Sequence, residues 1–270
     1  MPELPEVETI VRGLAGKVVG KTIARVEIRL SKIAVAPRRV GFARAVSGER
    51  IAGVARRGKY AILELASGRL LVTSLRMTGR LVVAADGHPE LPGTHLVLHF
   101  AEGGRLRFSD VRTFGRMRLV ESGDAWDREL GIEPLSAGFT QEAFIGMLSG
   151  RTTPVKALLL DQRRIAGIGN IYACEALWEA RIRPSRPSRS LRKPAICRLR
   201  RAIVEVLQRA VDLRGTSIDD YVDADGLQGG FQNNLSVYGR DGETCPRCGA
   251  RIVRTVLAQR GTWWCRRCQR

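Results

Sequence analysis

Apolar positions recur at helical spacing from the start of the chain. Val7, Ile10, Val11 and Leu14 share one face, Pro5 suits a first helical position, and Glu6 and Glu8 suit the positive end of a helix dipole. From about Lys17 to Val120 the period shortens to that of strands. Tyr60 to Leu65, a turn at Ser67-Gly68-Arg69, and Leu70 to Leu75 predict one hairpin; His95 to Phe100, Gly103-Gly104, and Leu106 to Phe108 predict another. Several short strands joined by glycine turns imply an antiparallel sandwich. Leu130 to Leu135 breaks the pattern and reads as an interdomain linker. From Thr140 to Gly215 the period is helical again. Thr153-Pro154 reads as a cap with proline at the first helical position, Asn170 opens a helix carrying Ile171, Cys174, Leu177 and Trp178, and Ile196, Leu199, Ile203, Leu207 and Ala210 line a further helix ending at Gly215. The Gly- and Asp-rich stretch from Thr216 to Gly230 reads as a mobile loop.

A length of 270 residues suits two domains, each with a sizeable core. The 45 Lys and Arg against 27 Asp and Glu give a net charge of +18, which calls for a polyanionic partner, nucleic acid before membrane. Between Arg151 and Arg201 there are 13 basic and 3 acidic residues, so the excess is concentrated in the helical region as a candidate backbone-binding surface. No apolar run reaches membrane-spanning length, and the N-terminus carries acids where a signal peptide carries bases. A cytosolic protein is expected, and with it reduced cysteines rather than a disulfide framework.

Four of the six cysteines form two pairs, Cys245-Pro-Arg-Cys248 and Cys265-Arg-Arg-Cys268, separated by sixteen residues. That is the spacing of a closed, structural four-thiolate zinc site on a hairpin, with Gln259-Arg260-Gly261 as its tip. Cys174 and Cys197 read as helix-packing residues. At the other end of the chain, removal of Met1 would leave Pro2 as a free secondary amine. An α-amino group titrates near pH 8 and a lysine near 10.4, so at neutral pH the terminus offers about a hundredfold more neutral amine. Such an amine forms an iminium, an electron sink, and a neighbouring acid such as Glu3 can protonate a leaving or ring oxygen. Read one by one, other positions remain open. Gly167-Ile-Gly-Asn170 offers backbone N–H groups to a phosphate, though taken alone Asn170 reads more readily as a plain N-cap. Arg57-Gly-Lys59 reads as a basic turn; His95 and His99 as surface histidines; Met77, Arg112 and Phe114 as a core methionine, a surface arginine and a core phenylalanine.

Together, Pro2-Glu-Leu-Pro-Glu6, Arg56-Arg-Gly-Lys59, Leu75-Arg-Met-Thr-Gly79, Asp110-Val-Arg-Thr-Phe-Gly115, Gly167-Ile-Gly-Asn-Ile-Tyr172 and the cysteine hairpin resemble the bacterial formamidopyrimidine-DNA glycosylases over the whole chain, in order. Two positions depart from the family's habit: Val111 and Arg266 stand where it usually or often has proline. The resemblance implies an α+β fold, with an N-terminal helix and antiparallel β-sandwich over 1–130, a helix-two-turns-helix DNA-binding domain over 131–240, and a zinc finger over 241–270. It implies a monomeric, nucleoid-associated repair enzyme on double-stranded DNA, excising oxidised purines and cutting at abasic sites, with one structural zinc ion. It makes Pro2 the nucleophile, Glu3 its acid/base partner, Lys59 and Arg260 further catalytic groups, and Glu6 an orienting residue. Met77, Arg112 and Phe114 would fill the gap left by an everted nucleotide, as apolar wedges and an arginine suit. Asn170 and Arg260 would hold phosphates, with Lys156 and Tyr172 also among the DNA-binding residues. Two rivals are an endonuclease VIII-type glycosylase for oxidised pyrimidines, whose N-terminus typically reads Pro-Glu-Gly-Pro-Glu where this chain has Leu4, and a non-enzymatic zinc-ribbon DNA-binding protein in which Pro2 is idle.

Overall fold

The computed structural model describes residues 2–37, 41–218 and 221–270. In chain order its elements are α1 (Leu4–Val18), β1 (Ile23–Ile28), β2 (Ala34–Val35), α2 (Phe42–Val46), β3 (Ile51–Arg57), β4 (Tyr60–Leu65), β5 (Leu70–Ser74), β6 (Gly79–Ala84), β7 (Thr94–Phe100), β8 (Arg105–Asp110), β9 (Arg116–Val120), α3 (Gln141–Leu148), α4 (Val155–Leu160), α5 (Asn170–Glu179), α6 (Lys193–Asp212), β10 (Ile252–Leu257) and β11 (Arg260–Cys265). They fall into two compact units, Met1–Arg128 with Leu213–Gln232, and Glu129–Asp212 with Asn233–Arg270.

The first unit holds two sheets, of strand order β1-β7-β8-β6 and β2-β9-β5-β4-β3. Both expected hairpins form, with Gly68, Gly103 and Gly104 at positive φ in their turns. One pairing is parallel: β2 runs two residues alongside β9. Alternate residues of both sheets, among them Leu63, Leu71, Leu96, Leu106 and Met117, share one core with Val7, Ile10, Leu14 and Val18 of α1. The opposite face of the second sheet is covered too, since Ile62, Val72 and Val120 pack with Tyr60, whose ring meets Trp126 edge-on at 5.5 Å. Between Thr216 and Gly230 no helix or strand forms among the described residues, 219 and 220 lying outside them. The segment is nevertheless fastened to α1 and β6: Lys17 pairs with Asp225, and Val83 N–H donates to Ala224 O at 3.3 Å.

In the second unit α6 buries Ile196, Leu199, Ile203, Leu207 and Ala210 as its spacing requires, while α5 is buried on nearly every side. Two helix starts differ from expectation by one residue. Pro154 is the N-cap of α4 rather than its first helical residue, and the N-cap of α5 is Gly169, extended at φ −126°, with Asn170 the first residue inside. The Leu130 to Leu135 stretch is no free spacer. Ile132 bridges Ile165, Gly131 N–H donates to Gln162 O at 2.8 Å, and a Cβ on Gly131 would meet the Arg164 carbonyl at 2.1 Å.

Candidate active site and nucleic-acid interface

Helix α1 opens with Glu3 as an extended N-cap, Leu4 as its first residue and Pro5 as its second. Pro2 is buried, Glu3 is 3% exposed and Glu6 1%. Met1 lies outside the described residues. Glu6 is the knot: one carboxylate oxygen accepts the Glu3 N–H at 2.8 Å, and the other accepts the Thr216 N–H at 2.7 Å. Gly215 permits that approach, since it sits at φ +80° and a Cβ there would lie 2.8 Å from the Glu6 oxygen. The Tyr221 hydroxyl donates to Arg214 O at 3.1 Å beside it, and burial, reinforced by the Glu6 charge, pushes that phenol far above its ordinary range.

Lys59 stands in the two-residue turn between β3 and β4, after Gly58 at φ +56°. The turn is tied back to α1. Arg56 Nε donates to Glu8 at 2.8 Å while its Nη1 donates to Gly58 O at 3.0 Å. Burial raises the Glu8 pKa, but the hydrogen bonds from Arg56 and then Arg12 outweigh it and leave the carboxyl below its usual range. Glu8, read from sequence only as a helix-dipole partner, therefore carries the link between the first helix and the Lys59 turn.

Met77, Arg112 and Phe114 come together, and neither apolar member is a core residue: Met77 is 41% and Phe114 53% exposed. Arg112 Nη1 donates to Met77 Sδ at 3.1 Å and the guanidinium lies 5.2 Å from the Phe114 ring. What holds the two loops in register is Asp110, buried to 1%. Its carboxylate accepts the Gly115 N–H at 2.6 Å and the Thr78 hydroxyl, and Thr78 Oγ1 accepts the Arg112 N–H at 3.1 Å. His95 reaches the Asp110 carbonyl at 3.1 Å, and His99 lies 3.3 Å from Glu27. Asp110 entered the sequence analysis only as the first residue of the Asp110 to Gly115 motif, with no role assigned to it.

In the second unit the hairpin β10–β11 turns at Ala258 and Gln259, both at positive φ, so Arg260 is the first residue of β11 rather than the middle of the tip. Arg260 is exposed. Its neighbours are clamped from below: Lys156 Nζ donates to Gly261 O at 2.9 Å and Thr262 Oγ1 at 2.7 Å, and Asn170 Nδ2 donates to Gly261 O at 3.0 Å. Lys156 and Tyr172, which the resemblance counts among the DNA-binding residues, are 0% and 1% exposed. For Lys156 the reason is explicit: its ammonium is committed to the strand that carries Arg260. Asn170 does no capping, and its Oδ1 is buried with no hydrogen-bond partner among the described residues.

The four expected cysteines converge, with all Sγ atoms within 4.8 Å of one another, the only such metal-binding group among the described residues. A tetrahedral zinc with bonds of about 2.3 Å sets sulfurs about 3.8 Å apart. The Cys245–Cys268 and Cys248–Cys265 separations of 3.9 and 3.5 Å fit that cage, and no disulfide competes for the thiols. Trp178 Nε1 donates to Cys245 Sγ at 3.4 Å, the outer hydrogen bond expected around a thiolate cluster. Glu175, unremarked in the sequence, secures the approach to this module: its carboxylate accepts the N–H groups of Ser236, Val237 and Tyr238 at 2.8 to 3.0 Å, and burial pushes its pKa up. Cys174 is fully buried, its thiol pushed up to about 11 by that burial, and packs as expected. Cys197 on α6 is half-buried.

No helix among the described residues is long and apolar enough to cross a membrane. Three family models match in succession: the formamidopyrimidine-DNA glycosylase N-terminal domain over residues 1–117, the H2TH domain of the same family over 130–222, and a zinc finger found in FPG and IleRS over 242–270. The formamidopyrimidine-DNA glycosylase of Heliobacterium modesticaldum is 47% identical, covering 100% of both chains. A Lactococcus lactis FPG variant in complex with Fapy-dG-containing DNA superposes with a TM-score of 0.92 at 38% identity, over 100% of both chains. The wild-type Lactococcus lactis FPG in complex with DNA containing an oxidised pyrimidine superposes at 0.91 and 37%, with the same coverage. On these matches, end to end and in all three modules, the chain belongs to the formamidopyrimidine-DNA glycosylase family, the DNA glycosylases of base repair.

Proposed function

We propose that this glycosylase excises oxidised purines, 8-oxoguanine and formamidopyrimidines, from duplex DNA and then cuts the strand, with Pro2 as nucleophile. The Pro2 nitrogen attacks C1′, the glycosidic bond breaks with its electron pair leaving on the base, and the departing base takes up the proton lost from the amine. The C1′–O4′ bond then breaks as Glu3 protonates the ring oxygen, and the nitrogen lone pair forms the C1′ iminium. Abstraction of a C2′ proton then expels the 3′-phosphate and a second elimination the 5′-phosphate, the iminium serving as electron sink. Lys59 and Arg260 supply positive charge to the reacting backbone, Asn170 and Arg260 hold phosphates, and Met77, Arg112 and Phe114 occupy the stack vacated by the flipped nucleotide. One zinc ion held by the four cysteines would staple the hairpin that carries Arg260.

The observation that carries this reading is Glu6. A buried carboxylate that fixes the Glu3 N–H and the Thr216 N–H together holds Pro2 and Glu3 in one orientation, as a nucleophile and its acid require. A DNA-binding module with an idle terminus would need no such fastening of its first residues. Borohydride trapping on 8-oxoguanine DNA decides between them. The adduct should map to Pro2, and Glu3→Gln should still trap on a preformed abasic aldehyde while failing to release the base. An adduct on Lys59, or none from an active preparation, removes Pro2 from the mechanism. Because the Lactococcus lactis relative has been seen on an oxidised pyrimidine, thymine-glycol DNA belongs in the same experiment. Stronger trapping there than on 8-oxoguanine reverses the assigned preference.

A further inference from the structure

A groove of about 190 Å³ runs along the β10–β11 hairpin on the face that carries Arg260. Residues directly opposed in an antiparallel ladder share a face, and the pairs here are Leu257 with Arg260, Thr255 with Thr262, and Val253 with Trp264. Leu257, Thr255, Thr262 and Trp264 line one side of the groove; Arg183 and Ser185 line the other. At about 30 Å³ per water the space is on the order of six waters, enough for a phosphate and part of its sugar.

The far wall is fixed in place. Arg183 N–H donates to Arg270 O at 3.2 Å, and Lys156 N–H donates to Pro184 O at 3.2 Å. Lys156 thus holds both walls, one with its backbone and the other with its ammonium. The Arg183 guanidinium stacks 5.0 Å from the Trp264 ring centre, and among the described residues no carboxylate pairs with it. A stacked guanidinium keeps its N–H edge available, the arrangement suited to a phosphate. The surroundings select for an anion, since Arg181 to Arg201 contains nine Lys and Arg and not one acid.

We infer that this groove is a second phosphate subsite for the strand that Arg260 engages, with Arg183 as its principal ligand and Ser185 and Thr255 as flanking hydroxyl donors. This rests on the phosphate-binding role given to Arg260 above. Strand residues advance about 3.3 Å each, so Thr262 and Trp264 lie roughly 7 and 13 Å from Arg260. The groove therefore serves a neighbouring phosphate of the same strand. It lengthens the footprint on one side of the lesion and contributes affinity without reading sequence.

The test uses the full-length, metal-loaded protein, three duplexes and two variants. One abasic-analogue duplex is long on both sides; the others are cut back to about two base pairs from the lesion on the 5′ or the 3′ side. Arg183→Gln, whose planar amide retains a stacking surface over Trp264, should bind the long duplex about three- to tenfold more weakly at low salt and lower the salt slope by about one. The difference from wild type should vanish on one shortened duplex and persist on the other. Unchanged affinity and slope on the long duplex overturn the subsite. So does an equal loss on all three, which marks Arg183 as a support for the hairpin. Arg260→Ala separates the two readings. Weaker binding in Arg260→Ala alone refutes the groove and keeps the phosphate role of Arg260, whereas wild-type binding in Arg260→Ala removes that role and the groove with it.

Discussion

Two parts of the first unit are organised by the same device to opposite ends. At the start of α1, the buried carboxylate of Glu6 draws backbone N–H groups together and keeps Pro2 and Glu3 out of solvent. At the β5–β6 and β8–β9 loops, the buried carboxylate of Asp110 does likewise, but its product is an exposed cluster of Met77, Arg112 and Phe114. In the proposed mechanism, burial protects the reacting pair, whose geometry must be in place before substrate arrives, and exposure suits the proposed wedge, which has nothing to fill until a nucleotide leaves the stack. The cost of exposed apolar surface is borne by an anchor beneath it rather than by the wedge residues themselves.

The comparison breaks most sharply at the anchors. In Glu6→Gln one of two backbone N–H groups must face the new amide NH2, because each carboxylate oxygen already accepts one. A loss of about 1 to 3 kcal/mol in urea unfolding should follow, together with slower trapping at Pro2. Asp110→Asn should cost less, about 1 kcal/mol, because its oxygen can keep the Gly115 N–H while its NH2 turns to the Thr78 hydroxyl, which reverses from donor to acceptor. Equal costs at the two sites would mean that the anchors are not distinguished by what they hold.

Acid sharpens the picture at the third carboxylate. The Glu8 pKa is lowered in the folded chain, so its contribution is full above the unfolded value near 4.5 and is lost as the pH falls through the lower folded value. Glu8→Gln should therefore flatten the stability profile below about pH 4.5 and leave it parallel to wild type above, as denaturant titrations at each pH would read. Parallel profiles throughout would detach Glu8 from the Lys59 turn. The smallest change in stability belongs to the wedge: Phe114→Ala should alter unfolding by less than about 0.5 kcal/mol, as exposed sites do. Even so, it should slow base release from duplex more than cleavage at a preformed abasic site, measured in single turnover. Equal slowing on both substrates would leave Phe114 with no part in extrusion.

What could be read from the chain depended on how local each signal was. The β4–β5 hairpin, the α1 stripe and the cysteine pairs are short-range patterns, and each appears where its spacing puts it. The roles of Asp110 and Glu175 were invisible because a single acid in a strand or helix carries no spacing; only the folded backbone supplies its N–H partners. The anchoring of Lys156 was hidden for a related reason: its carbonyl and hydroxyl partners lie more than a hundred residues further along the chain. Met77 and Phe114 misled when read singly as core, since hydrophobicity alone does not tell a core side chain from one held out on a turn.

The hydrogen bond from Thr216 to Glu6 spans 210 residues of chain. On a ribosome adding about 5 to 20 residues per second, Glu6 waits roughly 10 to 40 s for its partner. Until then the first unit lacks the strap Leu213–Gln232 that completes it, and the nascent N-terminal half carries a carboxylate destined for burial whose partner has not been made. Synthesis order thus leaves the last fastening of the site to the end: a polypeptide released after the sandwich but before the strap has every residue of the proposed nucleophile and acid and the local Glu3–Glu6 hydrogen bond, yet lacks the Thr216 N–H that completes the clasp.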